Sequence, residues 1–158
     1  MAKILIGFMG AGKSTVARLL DSDYIDMDEV IAQRIGMPIA DFFAIQGENA
    51  FRQIESQVLE ELLKSNHVVS TGGGVVTSKS NRRLLRNHSD TIYLRASFET
   101  VYNRIQSDES TVRPLFINNS MEDFKAIFDR RLCWYEEVAS QVVDVDNKTP
   151  QAIVEVIK

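Results

Sequence analysis

The segment KILIGFMGAGKST near the start of the chain constrains the fold more than any other. Lys3 to Phe8 reads as a buried strand, Gly7 to Ser14 as a glycine loop, and the stretch to about Leu20 as a helix. Strand, loop and helix in that order are the setting of the G-x-x-x-x-G-K-[ST] phosphate loop, which Gly7-Phe-Met-Gly-Ala-Gly12-Lys13-Ser14 matches in full. Glycines let successive backbone N–H groups turn inward on a phosphate, and the helix N-terminus adds the positive end of its dipole. Lys13 supplies a point charge for the β- and γ-phosphates, and the Ser14 hydroxyl suits Mg²⁺. Gly10, Ala11, Gly12, Lys13, Ser14 and Thr15 are thus the expected cradle for ATP, with Mg²⁺ as cofactor. The alternative, a tight turn with a chance lysine, does not explain three elements in register.

The rest of the chain alternates short apolar runs with amphipathic stretches, the pattern of an α/β domain with a parallel sheet. Further strands are expected at Tyr24 to Asp26, His67 to Thr71, Thr91 to Leu94 and Gln141 to Val145. Helices are expected over Glu29 to Ile35, Ile39 to Ile45, Glu48 to Lys64, Ser80 to Asn87, Phe98 to Gln106, Ser120 to Ala139, and from Thr149 onward. The expected fold is a five-stranded parallel sheet flanked by helices on both faces, and such sheets bind ligands beyond the carboxyl ends of their strands. At 158 residues one domain is expected, with a mobile lid at about 107–119 and a substrate-binding helical region at about 27–64.

A net charge of -4 argues against nucleic acid or an anionic membrane as a bulk partner. The lone cysteine, Cys133, excludes an internal disulfide and reads as a small, at least half-buried residue of a helix. No apolar run is long enough to span a bilayer, so the expectation is a soluble, cytoplasmic protein, and a monomer.

Several polar residues stand where a simple core would not put them. Asp26 and Asp28 alternate at the end of the second strand, and alternate residues of an extended chain share a face. One carboxylate is suited to the water shell of Mg²⁺ and the other to a substrate hydroxyl, whose proton it would help remove. Alternatively, Asp28 caps the following helix. In the helix after Ser120, the seam Phe124, Phe128, Arg131, Tyr135, Val138 places a guanidinium on the apolar face, where it needs an anionic partner. Arg52, beside Phe51, either pairs with Glu48 or Glu55 or joins Arg131 in clamping a carboxylate. Arg113, in the long polar loop, is placed to reach transferred phosphate when the loop closes, or is merely solvated. Gly72, Gly73 and Gly74 follow a strand directly and allow a close approach of backbone to ligand, as any tight loop would.

Taken together, GFMGAGKST, the DMD of Asp26 to Asp28, GENAFRQIE, STGGGVV, VRPL and RLCWY resemble the shikimate kinase family, within the nucleoside-monophosphate-kinase-like P-loop enzymes. The resemblance implies transfer of the ATP γ-phosphate to the 3-hydroxyl of shikimate. It implies that Asp28 binds the ring hydroxyls and serves as base, that Asp26 meets magnesium through water, and that Arg52 and Arg131 hold the substrate carboxylate. It further implies that Gly72 to Gly74 line the ring and that Arg113 bridges lid and phosphates. The chain departs from the family at Gln106, where an arginine commonly stacks on adenine; Arg104 is a nearby substitute. It is also short between the first helix and the DMD motif, so that helix should end early. A gluconate-kinase-like small-acid kinase would share the loop and fold without requiring FRxxE, GGG and RPL together. A non-catalytic nucleotide-binding scaffold would be favoured by loss of Asp26 or Asp28, and both are present.

Overall fold

The computed structural model describes residues 1–107 and 119–157. Arg113 and almost all of the expected lid lie outside the described residues.

Five parallel strands form one sheet: β1 (Lys3–Ile6), β2 (Ile25–Asp26), β3 (Val68–Ser70), β4 (Thr91–Arg95) and β5 (Gln141–Asp144), in the order β2-β3-β1-β4-β5. β1 is central, with Leu5 in register with Ser70 on one side and Ile92 on the other. A parallel strand covered on both faces must be apolar at successive positions, and Ile4, Leu5, Ile6, Ile92 and Leu94 are fully buried. The strand order reverses beside β1, so the crevice falls at the carboxyl end of β1, where the glycine loop begins.

The helices are α1 (Lys13–Leu20), α2 (Met27–Ile35), α3 (Ile39–Gln46), α4 (Glu48–Leu62), α5 (Lys79–Asn87), α6 (Phe98–Ser107), α7 (Met121–Val138) and α8 (Pro150–Ile157). Several of their starts are capped by side chains. Asp26 Oδ1 accepts from the Asp28 and Glu29 amides, Ser78 Oγ from Asn81, Ser120 Oγ from Asp123 and Thr149 Oγ1 from Ala152. α1 does end early, at Leu20. α7 buries Phe124, Phe128, Tyr135 and Val138, the expected seam with Arg131 among them. Phe8 packs edge-on against Phe124 and Phe128 at 5.4 and 5.1 Å, which ties α7 to the start of the glycine loop.

One expectation changes. Cys133 is exposed, because it falls outside the α7 seam. In α4 the buried positions are Phe51, Glu55, Val58 and Leu59, with Ile54 and Leu62 partly buried against the core, so one carboxylate sits on an otherwise apolar inner face. Among the described residues no helix is long and apolar enough to cross a membrane.

Candidate active site

The loop after β1 closes onto α1 through Gly12, which caps the helix in the left-handed region (φ 92°, ψ 23°), where a side chain is strained. Lys13 is buried, and its Nζ donates to the carbonyl oxygens of Gly7 at 2.6 Å and Phe8 at 3.1 Å. The ammonium is therefore held against the loop backbone, at the mouth of a cavity of about 670 Å³. Gly10, Ala11, Gly12, Lys13, Ser14 and Thr15 all line that cavity, as the motif requires. The Ser14 and Ser70 hydroxyls meet at 3.4 Å across the gap between α1 and β3.

Asp26 and Asp28 line the same cavity, but not by strand alternation. β2 ends at Asp26 and α2 begins at Met27, so Asp28 sits in the first helical turn. The cap is made by Asp26, whose Oδ1 accepts the Asp28 amide at 3.0 Å, and the turn of helix brings the Asp28 carboxylate round to the cleft. Burial pushes the Asp28 carboxyl above the usual carboxylate range, and the neighbouring Asp26 charge adds to this; Lys13 and Arg52 oppose it. A raised carboxylate beside a phosphate loop is suited to accept a hydroxyl proton.

The three glycines after β3 are where the remaining candidates converge. A Cβ on Gly72 would stand 2.8 Å from Asp28 Oδ1, one on Gly73 3.7 Å from Arg131 Nη1, and one on Gly74 2.7 Å from Arg52 Nη2. Side chains from α2, α7 and α4 are thus packed onto one short turn. Arg52 is paired as well as poised. Its Nη1 donates to both Glu55 oxygens at 3.0 and 3.1 Å, and its buried Nε stands 3.8 Å from Glu48 Oε1, so both expected carboxylates pair with it. At that distance Nε makes no hydrogen bond among the described residues and can still donate to an incoming acceptor. Arg131 lies 5.7 Å from the Phe8 ring, and burial lowers its guanidinium below the usual arginine range, with the positive charge of Arg52 acting in the same direction. Tyr135, hydrogen-bonded to the Gly73 carbonyl, stands beside Arg131 and opposes that lowering. Two neighbouring cations, both half-buried, are suited to a carboxylate.

Gly74→Ala tests this packing. The new methyl meets the far end of a flexible side chain, so the fold should survive while Arg52 is displaced. A rise in KM for the acid substrate of roughly tenfold, about 1.4 kcal/mol, with the KM for nucleotide unchanged, is the expected kinetic result.

Other cavity residues were not among those singled out from sequence. Lys148, Pro150 and Ile153, from the turn after β5 and the start of α8, close the far side. Their only signal was position, at the carboxyl end of a parallel strand. Arg104 also lines the cavity, and its Nη1 donates to the Gly10 carbonyl at 3.1 Å; Gln106, two residues on, is exposed. Arg52, Arg131 and Gly74 lie beyond the lining of this cavity.

A phosphate loop opening a five-stranded parallel sheet, with titratable and cationic side chains gathered beside it, defines a small-molecule kinase of the P-loop class. The shikimate kinase family model matches residues 9–158. The shikimate kinase of Streptococcus thermophilus is 53% identical over 161 aligned residues, covering 100% of this chain and 99% of that protein. That of Lactococcus lactis subsp. lactis is 44% identical, covering 100% and 96%. Among solved structures, the shikimate kinase of Acinetobacter baumannii in complex with shikimate superposes with a TM-score of 0.87 at 30% identity, covering 99% of this chain and 89% of that one. A gluconokinase from Sinorhizobium meliloti, at 18% identity and a TM-score of 0.56, shares the fold alone. The chain belongs to the shikimate kinase family, and the activity that goes with membership is ATP-dependent phosphorylation of shikimate.

Proposed function

We propose that the cleft transfers the γ-phosphate of ATP to the 3-hydroxyl of shikimate, giving shikimate 3-phosphate and ADP, with the following division of labour. The Gly10 to Thr15 backbone and Lys13 hold the triphosphate. Arg52 and Arg131 hold the substrate carboxylate, and Gly72 to Gly74 support the ring between that carboxylate and Asp28. Asp28 accepts hydrogen bonds from the ring hydroxyls and takes the proton from the attacking one. Arg113, outside the described residues, is assigned to the phosphates on the strength of the VRPL motif. The observation that carries this reading is the convergence of Asp28, Arg131 and Arg52 on Gly72, Gly73 and Gly74 beside the phosphate loop. An acid bearing ring hydroxyls matches that sequence of charges: cations at one end, a carboxylate base at the other. The whole set comes from one chain, so the working unit is read as a monomer.

The residues beside the loop also suit Mg²⁺. The Ser14 hydroxyl and the Asp26 carboxylate both line the phosphate cavity, and two oxygen donors fit an ion that keeps most of its waters. When bound, Mg²⁺ neutralises charge on the β- and γ-phosphates. The chain's own part is positioning and charge stabilisation, since phosphoryl transfer asks for little covalent chemistry from the protein.

ADP release with shikimate and with gluconate as acceptors, each with Mg·ATP, tests the assignment: turnover on shikimate alone is expected, and none above background would refute it. Arg131→Leu should raise the KM for shikimate by roughly 30-fold or more, as loss of one half of a desolvated charge pair does. The KM for ATP should stay within about twofold. An equal rise in both would sink the carboxylate clamp.

A further inference from the structure

Asn81 is completely buried at the start of α5, the helix that also buries Leu85, although it is an amide. Burying an amide is unfavourable unless its groups are bonded, so an apolar residue would fill the space at lower cost. Every polar atom of this side chain is used. Its Nδ2 donates to Glu55 Oε1 at 2.9 Å, and its Oδ1 accepts from Ser56 Oγ at 2.5 Å. A carboxylate can only accept, so the NH₂ group must face Glu55, and the Ser56 hydroxyl must be the donor to Oδ1. Glu55, 2% exposed, accepts from Arg52 Nη1 with both oxygens. A continuous chain thus runs from Ser56 through Asn81 and Glu55 to Arg52, whose Nη2 lies against Gly74.

The chain joins two helices. Arg52, Glu55 and Ser56 belong to α4, whereas Asn81 belongs to α5, which follows the glycine turn along the chain. Without Asn81, the Glu55 carboxylate would be oriented by Arg52 alone, and neither group would be tied to the turn that carries the substrate. With it, the carboxylate plane is set from α5, and only Nη1 of Arg52 is taken up by Glu55, while Nη2 lies against Gly74 and Nε stands near Glu48.

We propose that Asn81 is a positioning residue for shikimate: it fixes the Glu55 carboxylate and through it aims Arg52 at the substrate carboxylate. This rests on the reading of Arg52 as a carboxylate-binding group. Ser56 sets the direction of the amide and acts in the same sense with a smaller effect.

The test is steady-state kinetics on the full chain, with shikimate and ATP varied separately, beside thermal melts. Asn81→Ala should raise the KM for shikimate about five- to tenfold, with kcat and the KM for ATP within about twofold, the scale of the net contribution of one hydrogen bond. Ser56→Ala should raise it roughly twofold to threefold, and Ser56→Thr, which keeps the hydroxyl, should restore the parent value. In an Arg52→Lys background, which by itself should raise the KM for shikimate, Asn81→Ala should add little, because both act through one guanidinium. A lowered melting temperature with the shikimate KM unchanged, or equal rises in both KM values, would reduce Asn81 to a packing residue and overturn the proposal. Additive effects of the two substitutions would do the same. If Arg52→Lys leaves the shikimate KM unchanged, the reading of Arg52 fails and this proposal falls with it; if Arg52→Lys raises it while the Asn81 and Ser56 variants do not, only the positioning role is lost. Should Asn81→Ala not fold, the Ser56→Ala and Ser56→Thr pair decides.

Discussion

Replacing Lys13 by alanine is expected to lower kcat by about 10²- to 10³-fold, the scale of deleting one preorganised charge-stabilising donor. The reason lies in how the ammonium is held before any nucleotide arrives. It is buried, and the Gly7 and Phe8 carbonyls fix it against the loop, so little reorganisation remains when a phosphate enters. In phosphoryl transfer the protein's contribution is mainly placement and neutralisation of charge, and a pre-aimed cation serves both. Lys13→Arg should not restore activity. The planar guanidinium needs a wider seat than the gap between two loop carbonyls offers, and its charge is spread over a fork. Nucleotide titration and ADP release on the same samples, with melting curves to exclude unfolding, provide the check. A kcat within about tenfold of the parent would remove Lys13 from the phosphate site.

Asp28→Asn is expected to separate function from stability. Turnover should fall by roughly 10²- to 10⁴-fold, the usual contribution of a positioned general base. The fold, however, should gain. Burial raises the Asp28 carboxyl in the folded state above its unfolded value. For a carboxyl raised in this way, the unfolded chain ionises first as pH increases. Its favourable contribution to folding is therefore present at low pH and is lost as pH climbs from the unfolded to the folded value. At neutral pH a buried anion is left as a net penalty, which the neutral amide removes. A gain of about 1 kcal/mol would raise the melting temperature by roughly 2–4 °C in a chain of this size. The same shift predicts that the acid limb of kcat/KM lies above the range of an ordinary carboxylate and disappears in Asp28→Asn. A variant that loses turnover but keeps that limb would mean that Asp28 orients the hydroxyl and another group takes the proton.

The two substitutions also mark how legible the site was beforehand. Lys13 could be placed from the chain alone because strand, loop and helix are contiguous, and a local motif determines its own geometry. The fold was readable for a similar reason. The central strands are short apolar runs and several helices open on a side-chain cap, so local preference and burial pattern agree there, and the parallel order follows from the helical crossovers. Asp28 was identified, but for an incorrect geometric reason. Strand alternation was invoked, whereas Asp26 caps a helix that starts two residues earlier than expected, and the first turn of α2 aims Asp28. Arg131 was visible because a cation interrupts an otherwise apolar seam.

Glu55 and Asn81 mark the opposite case. Glu55 lies four residues after Phe51 and three before Val58, so it falls on the inner face of α4, yet a glutamate in a helix ordinarily reads as a solvated charge. Asn81 reads as a polar residue in the first turn of a polar helix. Both become meaningful only when α4 and α5 pack and each finds its partner on the other helix.

Contiguous residues, then, were enough to reveal the phosphate loop, the parallel α/β architecture and the kinase class, because the information lies within one or two turns of chain. The proposed acid-binding side was decided by packing. Arg52, Arg131 and Asp28 come from three helices far apart in sequence, and only the close approach of all three to Gly72, Gly73 and Gly74 makes them one site. That approach is possible because glycine leaves the turn without side chains, so that two guanidinium groups and a carboxylate reach the backbone itself. No spacing along the chain encodes such a meeting; it exists only once the sheet has brought the helices together.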